Sequence, residues 1–192
     1  MRFNSSRTVA IPPRSGRHLF KYALIFESAA EFVSRWDAAV ADRVPDELRN
    51  RLGIAVAKQA YRAYRELLVS ARWARLANEG ARAQRLLWAS TSVKDPRARD
   101  VLYVEALAAP FTVNTMPDQT LEAFADHGTV GEFLPADGGD ADQVIAAFAQ
   151  AGIDTAALAA ELQHQGAEAF AASWQDLLAR IGARHEQLAR TS

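Results

Sequence analysis

The chain has 192 residues, 49% of them hydrophobic, with a formal net charge of −1 and no cysteine. That length makes one domain the default and allows a sizeable core. The even charge balance supplies no field for nucleic acid, and the missing cysteines exclude disulfides, thiol chemistry and thiolate metal sites. No apolar run approaches the roughly 20 residues of a bilayer-crossing helix. The expectation is a soluble, cytoplasmic protein with no membrane and no nucleic-acid partner.

Residues 1–18 show no hydrophobic period. They carry Arg2, Arg7, Arg14 and Arg17, Pro12-Pro13 and no acid. A transit peptide has a similar composition, but the preferred reading is a disordered leader, with residues 19–192 as the folded domain. Leu19–Phe26, LFKYALIF, reads as a buried strand. Phe32-Val33 is a second, shorter apolar run, with Ser34, Arg35 and Asp37 at its polar tip. Arg35 there fits either an anion-binding role or an ion pair with Asp37.

Leu48–Val69 reads as a helix. Leu48, Leu52, Val56, Ala60, Tyr64 and Leu68 recur at i, i+4, and Pro45 or Asp46 supplies the start. Lys58 and the arginines at 49, 51, 62 and 65 lie largely off that stripe and read as a solvated face. A short helix over Ala71–Asn78, with Trp73 and Leu76 inward, closes at Gly80.

Two apolar runs follow, Leu86–Ala89 and Phe111–Val113, separated by an amphipathic segment, Arg99–Ala108. Apolar run, helix, apolar run is the pattern of a βαβ unit in a parallel sheet. In such sheets ligands sit at the carboxyl ends of the strands. Those ends read Ser90-Thr91-Ser92-Val93-Lys94 and Asn114-Thr115. Hydroxyls, an amide and a cation at neighbouring tips make a site for an anionic, hydroxylated small molecule. Lysine is scarce: Lys21, Lys58 and Lys94 are the only three.

Pro117 opens a helix that runs to about His127. Thr129–Gly139 reads as a loop. Asp140–Ala151 reads as a helix ended by Gly152. Asp154 caps another, to about Gln165, and Ala167–Ala189 forms the last. His127, before Gly128, is placed as a helix-dipole partner. His164 and His185 are placed on the surface with no metal-ligand spacing.

Several of these stretches together resemble transaldolase. They are FVSRWD at Phe32–Asp37, AVAKQAYRAYREL at Ala55–Leu67, QRLLWASTSVKDP at Gln84–Pro96, DVLYVEAL at Asp100–Leu107 and TVNTMPDQTLEAFADHG at Thr112–Gly128. AGID at Ala151–Asp154 and FAASWQDLLARI at Phe170–Ile181 extend the likeness. Long motifs in the family's order, from about Phe32 to the end of the chain, make it specific.

The resemblance implies an α/β fold: part of a (β/α)8 barrel, with about four parallel strands, the fifth to the eighth, surrounding helices and a helical C-terminus. It implies transfer of a dihydroxyacetone unit between sugar phosphates of the pentose phosphate pathway. That reaction runs through a lysine Schiff base and uses no metal and no organic cofactor. Arg35 matches the family's phosphate-binding arginine and Ser90 a phosphate-side serine; Lys94 is the cation beside it.

The match also has departures. The family's Schiff-base lysine lies on the fourth strand, ahead of the matched motifs. If Leu24–Phe26 ends the fifth strand, Lys21 stands where the family has asparagine and Ala23 where it has threonine. The catalytic nucleophile is thus unassigned, with Lys21 the candidate nearest a strand tip. Sugar phosphates are the expected ligands, and a chain supplying the remaining half-barrel is a candidate partner. Two further readings stay open: one half of a split enzyme, or a sugar-phosphate-binding module that turns nothing over.

Overall fold

The computed structural model describes residues 29–89 and 91–191. In chain order they form helix α1 (Ala29–Val40), a 3-10 turn (Asp46–Leu48), α2 (Leu52–Leu68), α3 (Ala71–Asn78), strand β1 (Leu86–Ala89), α4 (Leu102–Ala106), β2 (Thr112–Thr115), α5 (Asp118–His127), α6 (Ala141–Gln150) and α7 (Thr155–Thr191). The two strands pair in parallel, Leu86 opposite Thr112 and Trp88 opposite Asn114. The fold is α/β and mostly helical around this pair.

α2 is the hub. Its buried residues fall on two sides of one helix, as a 3.6-residue period allows. Leu52, Ala55 and Val56 join Trp36 and Val40 of α1, Val144 and Phe148 of α6, and Leu162 of α7. Ala57, Tyr61 and Tyr64 join Val33, Leu86, Trp88, Tyr103 and Leu107. Each large side chain buried in these clusters contributes roughly 1.5–3 kcal/mol.

The tyrosines of α2 also fix where the strands begin. The Tyr64 hydroxyl donates to the Gln84 carbonyl at 3.0 Å, just ahead of β1. The Tyr61 hydroxyl donates to the Pro110 carbonyl at 3.2 Å, just ahead of β2. One helix therefore holds both strand starts level. Gly53 lets α1 approach: a Cβ there would fall against the Val33 carbonyl and side chain.

The basic side chains of α2 are not a purely solvated face. Arg62 grips Asp142 with two nitrogens, at 2.7 and 3.1 Å, and Lys58 pairs with Asp140. Both acids sit at the start of α6, where negative charge complements the helix dipole. Arg65 donates to the Tyr61 hydroxyl and lies over the rings of Tyr61 and Phe111.

Several expectations need correction. Of the four expected strands, β1 and β2 are present among the described residues; Leu19–Phe26 lies outside them. Phe32-Val33 is not a strand but part of α1. Val33, Trp36 and Val40 are buried at helical spacing, and that stripe outweighs a two-residue apolar run. α2 starts at Leu52 and not at Leu48. Asn50 turns the backbone to φ 58°, which separates it from the 3-10 turn. Phe111 precedes β2 at φ 63° and is exposed.

Leu76 of α3 is exposed and not inward, while Trp73 is half-buried. The two expected C-terminal helices are one, α7, continuous through Gly166. Asp154 does cap its start, accepting from the Ala156 and Ala157 amides at 3.0 and 2.9 Å. Among the described residues no single helix is long and apolar enough to cross a membrane.

Candidate functional site

A cleft of about 250 Å³ opens between α1, the turn before α2, the chain after β1 and α4. Ser34 and Asp37 enter it from α1, Arg49 and Asn50 from the turn, Lys94, Asp95 and Arg97 from beyond β1, and Tyr103 from α4.

Asp37 is its structural centre. Oδ1 accepts the Leu52 amide at 3.0 Å and the Gly53 amide at 3.2 Å. Oδ2 accepts the Tyr103 hydroxyl at 2.8 Å. The first amides of a helix have no partner within it, and α2 has no capping side chain of its own. A carboxylate from α1 does that work. Burial pushes the Asp37 carboxyl up to about 6, against the opposing pull of its three hydrogen bonds. The Tyr103 hydroxyl is pushed up by burial and by the neighbouring Asp37 charge, so it stays a donor.

The opposite wall is polar and tethered. Asn50 donates to Asp95 at 2.9 Å, and the Arg97 amide donates to the same carboxylate at 3.0 Å. These bonds, the Arg97 amide first, hold the Asp95 carboxyl below its ordinary range. Arg49 pairs with Asp46 at 3.2 Å. Lys94 is exposed and makes no ion pair or hydrogen bond among the described residues.

The strand tips are tied to each other. Thr91 is fully buried and donates to Asn114 at 2.8 Å. Thr115 donates to the Trp88 carbonyl at 3.4 Å. The chain leaving β1 is thereby fixed at Thr91, three residues before Lys94.

Of the residues proposed for phosphate binding, Lys94 lines this cleft. Arg35 sits half-buried on α1, next to Ser34 but not in the cleft wall. Ser90 lies outside the described residues, as does Lys21. Asp37 was considered only as an ion-pair partner of Arg35, and Tyr103, Asn50 and Asp95 were not singled out by residue type. FVSRWD and VKDP carried the signal for two of them, since each places an acid next to the matched cations.

His127 was expected as a dipole partner. It instead bridges Asp100 at 2.8 Å and Asp126 at 3.2 Å, which raises its pKa. His164 is exposed and pairs with Glu168 at 3.3 Å. No three His, Asp or Glu side chains among the described residues come together in a metal-holding arrangement.

The family model described as Transaldolase/Fructose-6-phosphate aldolase matches residues 23–181. The chain belongs to the transaldolase family. Among its relatives, the transaldolase of Parafrankia sp. (strain EAN1pec) is 45% identical over 161 residues, covering 80% of this chain and 44% of the relative. That of Frankia alni is 45% identical over 171 residues, covering 85% of this chain and 45% of the relative. That of Neisseria meningitidis serogroup A is 42% identical over 153 residues, covering 80% and 44%. This transaldolase-family chain thus spans less than half the length of these relatives.

Proposed function

We propose that this chain carries the phosphate-binding part of a transaldolase site, on the fifth to eighth strands of a (β/α)8 barrel in the residue 19–192 domain. In this reading a sugar phosphate binds at the strand tips. Lys94 meets its dianion, with Arg35 and Ser90 completing the anion site. Lys94 is the observation that carries the reading. A lysine on a cleft wall, with no protein anion among the described residues, keeps its ammonium for a ligand, and a charge-assisted bond of that kind contributes roughly 1.5–3 kcal/mol.

The transfer of dihydroxyacetone between sugar phosphates would then need a Schiff-base lysine from outside the matched motifs. A neutral amine is required to attack the carbonyl. Lys21 is the candidate within this chain, and a partner chain bearing the remaining half-barrel is the other source. The second reading is a cytoplasmic sugar-phosphate-binding module without turnover.

Borohydride trapping with fructose 6-phosphate, read by intact mass, separates them. A covalent adduct mapped to Lys21 would place the chemistry in this chain. No adduct with folded protein, together with sugar-phosphate binding lost in Arg35→Ala and Lys94→Ala, would leave the phosphate-binding role alone. Unchanged affinity in both variants would remove that role as well.

A further inference from the structure

We propose that α3 and the chain running from it into β1 form a docking face for an acidic segment of another protein, one in which carboxylates are interspersed with large apolar side chains.

Arg49, Arg51, Arg62, Arg97, Arg99 and Arg180 each pair with an aspartate or glutamate of this chain, at 2.7–3.5 Å. Arg72, Arg75, Arg82 and Arg85 differ. All four are exposed, and none makes an ion pair or hydrogen bond among the described residues. From Val69 to Leu86 the single acid is Glu79, and there is no lysine. The net charge of the whole chain is −1, so this is a local excess of positive charge and not part of a general field.

The backbone brings these side chains together. Arg72, Arg75 and Leu76 lie at i, i+3 and i+4 of α3, neighbours on one helix face. Ser70 caps the start of α3, accepting the Trp73 amide at 3.1 Å. Gly80, at φ 90°, ends it. The Ala81 amide turns back to the Leu76 carbonyl at 3.0 Å, and Arg82 follows beside the last turn. Tyr64 then holds the Gln84 carbonyl, next to Arg85. Apolar surface is interleaved with this charge: Val69 is 78% exposed and Leu76 46%.

Charge and apolar surface together select the occupant. Unpaired guanidinium groups complement carboxylates, which they can hold with two parallel bonds. Val69 and Leu76 complement apolar side chains between those carboxylates. Nucleic acid fits less well. Val69 and Leu76 are aliphatic and Trp73 is half-buried, so α3 offers no exposed ring on which a base could stack. Arginine is enriched and lysine depleted where proteins meet. α3 spans only about 12 Å, which suits a short segment held in a salt-dependent way.

The test is fluorescence anisotropy of a labelled peptide of alternating glutamate and tyrosine, titrated with the full chain. The expected result is binding that weakens as salt rises and is tighter than for an all-glutamate peptide of equal charge. Arg72→Glu with Arg75→Glu lowers the affinity about tenfold or more. Arg72→Gln with Arg75→Gln, which keeps good helix formers, lowers it about threefold, and Leu76→Ser lowers it about threefold as well. Arg184→Glu, on the exposed part of α7, reverses a charge elsewhere and leaves the affinity within about twofold. Circular dichroism keeps its folded signature in each variant. Absence of binding at low salt, equal affinity for the two peptides, a loss in Arg184→Glu as large as in the α3 variants, or tighter binding of labelled oligouridine would each overturn the proposal. So would a mass that rises with concentration from 21.0 kDa but stays there in Arg72→Glu with Arg75→Glu, since a second copy would then be the occupant.

Discussion

The two ends of the strand pair are built differently. Where the strands start, Tyr61 and Tyr64 reach over from α2 to bind the carbonyls of Pro110 and Gln84, and Arg65 is sandwiched against Tyr61 and Phe111. Where they end, Thr91 and Asn114 are tied, but the chain then opens into a cleft whose Lys94 has no ion pair or hydrogen bond among the described residues. One end ties its strand-start carbonyls to α2; the other leaves charge available. A fold that commits its anchoring groups at one end can leave the other for a ligand. Substitutions at the starts should therefore act on stability, and those at the open end on binding.

The largest effect is expected beneath both ends. Trp88 is 2% exposed and joins Leu86, Tyr61 and Tyr103 in the core. Trp88→Ala should cost about 3–5 kcal/mol in chemical denaturation. Trp88→Phe should cost much less, because it keeps ring contacts and removes an indole N–H that has no acceptor among the described residues. Equal losses in the two variants would mean that the indole, and not the ring packing, holds β1.

Asp37 is buried in the wall of the open cleft, yet its role is structural. Its folded pKa of about 6 stands above the ordinary aspartate value of 3.8. A raised acid contributes stability that is fully present below the unfolded pKa and is lost as pH rises through the folded one. Asp37 should therefore favour the fold as pH falls from about 7 to about 4, by up to a few kcal/mol. The measurement is stability against pH for the native chain and for Asp37→Asn. The expected outcome is that the difference between them narrows toward acid pH, where Asp37 is protonated and resembles asparagine. A difference independent of pH would show that Asp37 does not titrate in this window. Asp37→Ala, which strips the cap from α2, should destabilise at every pH.

Much of this arrangement was legible in the sequence, and the misses share a cause. The βαβ pattern placed both strands, because short apolar runs bounded by polar tips leave few alternatives. Phe32-Val33 misled because a two-residue run has no measurable period, whereas Val33, Trp36 and Val40 do. The break at Asn50 was invisible because the helical stripe continues through Leu48 while the backbone does not. Asp37 was weighed only as a counter-ion for Arg35. Its partners, the amides of Leu52 and Gly53 and the hydroxyl of Tyr103, lie up to 66 residues away, and no spacing rule connects them. Lys94 was legible as a cleft residue because it closely follows the end of β1.

At the closed end the expected effect is smaller. Tyr64→Phe removes the hydroxyl that donates to the Gln84 carbonyl and leaves the ring in place. It should cost about 1 kcal/mol. Sugar-phosphate affinity should stay unchanged, since the strand starts lie at the far end of β1 and β2 from the cleft. A loss of affinity larger than the loss of stability would show that the two ends are coupled through the strands.

The smallest effect on stability is expected at Lys94, and there the comparison is sharpest. Lys94 is exposed and has no partner to abandon among the described residues, so Lys94→Ala should move the denaturation midpoint by no more than about 0.5 kcal/mol. The same variant should lose roughly tenfold or more in affinity for a sugar phosphate, since a charge-assisted bond contributes about 1.5–3 kcal/mol. Lys94→Arg should recover part of that loss, because the charge returns in a different shape. Titration calorimetry and chemical denaturation on the same three proteins decide it. If Lys94→Ala destabilises the fold as Tyr64→Phe does, then Lys94 belongs to the framework and the strand tips are not an open anion site.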